Sequence, residues 1–248
     1  MSAAHQCLNC NHPLQAAYCA HCGQSANTHR YSLKHFIEHD LVHGIWHVDK
    51  GVLYTIKELF SRPGHSVREF VQGKRVGYFN FVTLIVLIIG TELFLGSFGH
   101  VKLTDITPES SKAAMSILEE FTMKHPKAVP LLMIPLTSLF SYLWFRKAKL
   151  NGTEHVILNA YKTAGEMIIA LLFTLIAIFY KDKAGLYLIY GTIGLLTTAY
   201  AIWFYYQFFS AYGYKKYSLL IRSIMVPISM VLLSIVIGLA WAVVAKFK

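Results

Sequence analysis

Carboxylates are scarce in this chain: 13 Asp and Glu stand against 23 Lys and Arg, and only 15% of its 248 residues are charged. Together with a hydrophobic content of 55%, that scarcity excludes an ordinary soluble domain, which needs far more charge on its surface. Also missing are a glycine-rich phosphate loop, a serine nucleophile elbow and a carboxylate-rich metal loop. The pair Glu154-His155 has no second histidine at the spacing a zinc protease helix requires. No short apolar run lies near residue 1; the first 25 residues hold Cys, His, Asn and Gln instead, so no cleaved leader is expected. Cysteine is almost absent too, with only four in the chain, all within the first 22 residues.

What the chain has in abundance is long apolar runs. A helix of about 20 residues crosses the roughly 30 Å hydrocarbon core. Five windows reach or approach that length: Phe79–Phe98, Ala128–Phe145, Thr163–Tyr180, Gly185–Phe209 and Ser223–Ala245. The expected fold class is therefore an all-α integral membrane protein. A five-helix transmembrane bundle occupies 79–248, amphipathic surface helices 29–78, and a small N-terminal zinc ribbon 1–28.

Excess Lys and Arg resist translocation and so set topology. With the N-terminus inside, 15 of the 23 cations fall on the inner side. The expectation is a cytoplasmic N-terminus and an external C-terminus. In a polytopic protein this role accounts for the net charge of +10, and nucleic acid is not an expected partner.

The four cysteines form two pairs, Cys7-Leu-Asn-Cys10 and Cys19-Ala-His-Cys22. A C-x-x-C turn points two thiolates at one ion, and two such turns complete a tetrahedron of sulfur. The alternatives are two disulfides or free thiols; a cytoplasmic location disfavours the first, and the matched pairing disfavours the second. The expected cofactor is structural Zn2+, held by Cys7, Cys10, Cys19 and Cys22. Gly23 suits the positive φ that follows a knuckle. His12 and His21 are near enough to compete, but the cysteine set is already complete.

From Tyr31 to Val48 the apolar residues Leu33, Phe36, Ile37, Leu41, Ile45 and Val48 follow helical spacing. His35, His39, His43 and His47 recur every fourth residue on the same stretch, so neighbours on the stripe share a helix face. They are a candidate transition-metal or pH-sensing site, with Glu38, Asp40 and Asp49 as supporting carboxylates. The stripe also drifts through about 120° over its length, as the polar flank of an amphipathic helix does. Further on, Leu53, Ile56, Leu59 and Phe60 predict a second short helix that Pro63-Gly64 ends. These helices are expected to lie on the membrane surface, with Gly73, Lys74 and Arg75 as a candidate lipid-headgroup site.

Four segments carry a family resemblance: Cys19-x-x-Cys22-Gly23-Gln24, Asp49-Lys50-Gly51-x-x-x-Thr55, Arg62-Pro63-Gly64 and Gly73-Lys74-Arg75. Over about its first 90 residues the chain resembles a bacterial family of membrane proteins that carry a domain of unknown function. The resemblance implies a bacterial inner-membrane protein and brings no catalytic residues. Five spans behind a cytoplasmic N-terminal region are also similar in general plan to Yip-type membrane-trafficking proteins.

Two carboxylates fall inside the windows. Glu166 has Lys162 one turn before it, which fits an i,i+4 ion pair; Glu92 has no local partner. An intramembrane carboxylate is a functional candidate by default. Gly185, Gly191 and Gly194 with nearby threonines suggest a close-packing helix face, and Trp203, Tyr205, Tyr206, Tyr212, Tyr214 and Tyr217 an interfacial aromatic belt. Two functions are then in play. One is a non-enzymatic inner-membrane scaffold, bound to lipids and to a protein partner through the ribbon and surface helices. The other is a transporter or channel for metal ions or protons that uses Glu92, Glu166 and the histidine stripe. A lipid-modifying enzyme ranks behind both, because the spans lack its His and Asp clusters.

Overall fold

The computed structural model describes residues 6–28, 30–31, 51–99, 103–106, 120–121, 123–125 and 128–246. Among them every regular element is a helix, and the cysteine segment adds two isolated β-bridges, Gln6 with Pro13 and Tyr18 with Ser25. Two short helices come first, α1 (Gly51–Ser61) and α2 (Pro63–Val71). Then follow α3 (Phe81–Gly96), the single turn α4 (Leu103–Ile106), α5 (Ala128–Trp144), α6 (Gly152–Phe179), α7 (Lys183–Phe209) and α8 (Lys216–Lys246). Helix α6 is central: α3, α5, α7 and the α1/α2 pair all pack on it, while α8 closes against α5 and α7.

Side-chain caps start three of the long helices. The Asn80 side chain accepts from the Val82 and Thr83 amides at the head of α3, and Asp182 accepts from Gly185 at the head of α7. Asn151 and Glu154 form a reciprocal capping box on α6. Each satisfies amides that the first turn leaves without a partner.

Three helices are long and apolar enough to cross a membrane: Gly152–Phe179, Lys183–Phe209 and the Lys216–Ile237 part of α8. At 1.5 Å per residue, the 28 residues of α6 reach about 42 Å. The other two expected spans are shorter apolar helices. The 16 residues of α3 and 17 of α5 give about 24 to 26 Å, less than the usual hydrocarbon thickness. The length test thus supports three spans of the five expected. Helix α6 also starts well before the expected Thr163, and α8 before Ser223. The first turns of α6 hold polar residues that tertiary partners satisfy, Glu154 by Arg30 and Asn159 by Tyr205, so a hydropathy window misses them.

The two short helices pack on the long ones. Helix α2 is buried against α6 and α7, with Pro63, Gly64, Ser66, Val67, Phe70 and Val71 inside. A Cβ on Gly64 would collide with the Phe204 carbonyl and the Phe208 amide, so the two backbones meet there. On α1 the buried face is Thr55, Glu58 and Leu59, and Leu53 is exposed. Close packing elsewhere also departs from expectation. Gly191 and Gly194 face open space, whereas Gly165 on α6 receives the Tyr200 ring of α7. Of the expected aromatic belt, Tyr205 is buried in the core and Trp203 and Tyr217 are exposed.

Candidate metal centre

The cysteine segment is one turn made twice. In the first knuckle the Asn11 amide donates to the Cys7 carbonyl at 2.8 Å and the Cys7 amide to the His12 carbonyl at 2.9 Å. In the second, Gly23 donates to Cys19 and Cys19 to Gln24, each at 2.8 Å. The residue after each second cysteine has positive φ, +60° at Asn11 and +76° at Gly23. Glycine takes that conformation freely and asparagine tolerates it, so Asn11 plays in the first knuckle the part expected of Gly23 in the second.

These turns bring all four sulfurs together. Cys7 Sγ lies 3.5 Å from Cys22 Sγ, Cys10 Sγ lies 3.6 Å from Cys19 Sγ, and all four fall within 4.8 Å of one another. A disulfide would need about 2.05 Å, and all four cysteines are free. Four thiolates about 2.3 Å from a tetrahedral ion would stand about 3.8 Å apart, so the cluster has the dimensions of a metal site. Its electrostatics fit as well. The Gln24 backbone N–H pulls the Cys22 thiol down to about 6. At Cys10 the His12 backbone N–H also pulls down, but burial and the three neighbouring sulfurs outweigh it and the thiol rises to about 12. Four adjacent sulfurs resist carrying charge together unless a cation sits among them. His12 and His21 stack on each other, ring centres 5.6 Å apart.

The ribbon is fastened to the helices at two places. Gln24 is buried, and its side chain donates to the Gly73 carbonyl at 2.9 Å and accepts from the Arg75 amide at 3.1 Å. Leu8 packs on Gly73, whose φ of +112° favours the missing side chain. The second fastening is Arg30, whose guanidinium grips Glu154 at 2.5 and 2.7 Å and also donates to the Lys149 carbonyl at 2.8 Å. Asn151 reaches across to the Tyr31 carbonyl at 2.9 Å.

Gly73, Lys74 and Arg75, expected at a lipid headgroup, therefore have other partners. Gly73 and Arg75 seat the ribbon, the Arg75 guanidinium lies 3.8 Å from the centre of the Tyr31 ring, and Lys74 pairs with Glu69 at 3.0 Å. Glu69 also accepts from Arg62, which in turn holds Glu58 at 2.7 Å. Arg62, and after it Lys74, holds the Glu69 carboxyl below its ordinary range. Thr55 accepts from the Phe79 amide at 2.7 Å and so fixes the entry into α3. His35, His39, His43 and His47 lie outside the described residues, as do Glu38, Asp40 and Asp49.

Both carboxylates of the apolar windows have partners. Lys162 donates to Glu166 at 2.6 and 2.7 Å, the ion pair expected from their spacing. Glu92 accepts from Thr174 of α6 at 2.6 Å. That partner is 82 residues away in sequence, which is why local spacing left Glu92 alone. Sequence reasoning passed over a buried polar core on α5, α6 and α7. Ser141 Oγ lies 2.8 Å from His155 Nδ1 and accepts from Asn159 at 2.9 Å, and Asn159 accepts from the Tyr205 hydroxyl at 2.5 Å. All four residues are almost wholly buried. The only signal in the sequence was the helical spacing of Glu154, His155, Asn159 and Lys162 ahead of an apolar run, polar residues one turn apart along one helix.

Residues 49–89 match a family model described as "protein of unknown function (DUF3667)". The match spans α1, α2 and the first half of α3, and so takes in three of the four segments that carried the resemblance. No curated protein matches the chain. No solved structure matches it either, so no structural match stands behind the Yip-type likeness.

Proposed function

We propose that this protein is a non-enzymatic scaffold of the bacterial inner membrane, with a structural Zn2+ ribbon on the cytoplasmic side. On this reading α3 and α5 cross the bilayer with the three longer helices, the N-terminus is inside and the C-terminus outside. The observation that carries it is the convergence of Cys7, Cys10, Cys19 and Cys22 in a ribbon that is docked on the helices. Four cysteine ligands leave a zinc ion no open position for chemistry, and metal in so small a segment supplies folding energy. Further support comes from Glu92 and Glu166, which are engaged within the bundle. Cations gathered at the ribbon end favour a cytoplasmic N-terminus. Ribbon and α1/α2 together then offer a protein partner a rigid surface.

Metal content of the purified full-length chain, measured by mass spectrometry, tests the reading. One zinc per chain is expected, lost when Cys7, Cys10, Cys19 and Cys22 are all replaced by Ser. Metal that survives the replacement would move the histidine stripe, and with it a transport role, to the front.

A further inference from the structure

Two groups stand out among the cations at the ribbon end. Arg30, Arg62, Lys74 and Lys162 each hold a carboxylate. Arg146, Lys147, Lys149, Lys215, Lys216 and Arg222 hold none among the described residues, and no Asp or Glu occurs in 145–153 or 210–222. The second group sits on two neighbouring connections, the 3-10 turn Arg146–Ala148 after α5 and the segment that leads into α8.

Lys147 donates to the Gly213 carbonyl at 2.5 Å and stands 5.5 Å from the centre of the Tyr214 ring. Arg222 stands 5.4 Å from the same ring and donates to the Trp144 carbonyl at 2.5 Å. Two like charges thus flank one ring, and an aromatic face offsets only part of their repulsion. On the same two helices, close to these cations, Leu139 and Leu143 of α5 and Leu220 and Ile221 of α8 are exposed, and Tyr217 stands out beside them. Fixed positive charge at the helix ends, next to an apolar wall, matches a molecule with an anionic head and hydrocarbon tails. A soluble anion would meet the charge and gain nothing from the wall.

We infer that the connections 146–149 and 213–217, with Arg222, bind the headgroup of an anionic phospholipid whose acyl chains lie along α5 and α8. This site is distinct from the Gly73, Lys74 and Arg75 segment. It rests on the reading of α8 as a membrane span. The lipid phosphate supplies a counter-charge that the described residues do not offer there and ties α5 to α8 at their headgroup ends.

The test uses the full-length chain in detergent, titrated by native mass spectrometry with phosphatidylglycerol, phosphatidylcholine or inorganic phosphate. Phosphatidylglycerol is expected to bind in preference to phosphatidylcholine. Its affinity should weaken about fivefold for each cation removed in Lys147→Gln and in Lys215→Gln/Lys216→Gln. The equal charge change Lys181→Gln/Lys183→Gln, at the other end of the bundle, should leave it unchanged. Equal losses in both double variants, no preference between the lipids, or displacement by inorganic phosphate would each overturn the site. Release of the chain from membranes by alkaline carbonate would overturn the membrane reading and the site with it, whereas absence of zinc touches only the scaffold reading.

Discussion

Two regions of the helix bundle are built by different rules. At the ribbon end Phe145, Tyr161, Phe204, Phe208 and Phe209 are fully buried, rings stack, and Asn159 is hydrogen-bonded to Ser141 and Tyr205. Away from that end, Leu188 and Leu195 of α7 and Val231 of α8 are largely exposed, and a Cβ on Gly191 or Gly194 would meet open space. Aqueous protein packs tightly because water drives its apolar surface together. Hydrocarbon gives helices no such drive, so apolar residues can face lipid at no cost. The contrast assigns sequence specificity to the ribbon end and bulk apolarity to the helices away from it.

The largest test of that contrast is a matched pair of glycines. Gly64→Ala should push α2 off α7, because its Cβ meets main chain that cannot yield, and a loss of several kcal/mol or failure to fold is expected. Gly191→Ala, with open space around it, should be neutral or should stabilise by up to about 1 kcal/mol through helix propensity. Thermal unfolding in detergent reads both, and equal effects would break the comparison.

Next in size is the polar core. Asn159→Leu strands the Tyr205 hydroxyl in a buried site and should cost about 1 to 3 kcal/mol, seen as a lower unfolding midpoint. Thr197→Val at mid-helix, where the hydroxyl bonds only its own helix, should change the midpoint little.

Arg30→Ala should cost less, about 1 kcal/mol or below, because the Arg30 side chain is 59% exposed although Glu154 is buried. Glu154→Ala removes the capping box as well and should cost more than Arg30→Ala under the same measurement. The reverse order would locate the value of the pair in the arginine.

The smallest effect is a pH dependence. Arg62 and Lys74 lower the folded pKa of Glu69 from its ordinary 4.5. A lowered carboxylate contributes stability that is fully present above the unfolded pKa and is lost as pH falls through the folded one. With Arg62 and Glu69 37% and 28% exposed, the contribution is below about 1 kcal/mol. Unfolding midpoints of wild type and Glu69→Gln should differ at pH 7 and converge towards pH 3.

The sequence was legible where one local element carried the information. C-x-x-C turns, apolar runs and the Lys162–Glu166 spacing each lie within a turn or a single helix, and each matches what the structure shows. The start of α6 was misplaced where polar residues are satisfied across the fold, Glu154 by Arg30 and Asn159 by Tyr205, and the partner of Glu92 was missed for the same reason. Gly73, Lys74 and Arg75 look like an interfacial basic cluster because the sequence does not reveal that Gln24 comes to meet them. Gly64 and Gly165 mark close approaches, while Gly191 and Gly194 do not, and spacing cannot distinguish the two cases.

Gln24 belongs to two structures at once. Its main chain closes the second knuckle and its side chain clamps Gly73 and Arg75. If the cysteines hold an ion, as proposed, thermodynamic linkage makes its binding and ribbon docking coupled reactions, so whatever strengthens one strengthens the other by the same factor. A change at Gln24, which supplies no ligand, would therefore surface as a weaker affinity for the ion, and emptying the cysteines would loosen the grip on the segment that enters α3.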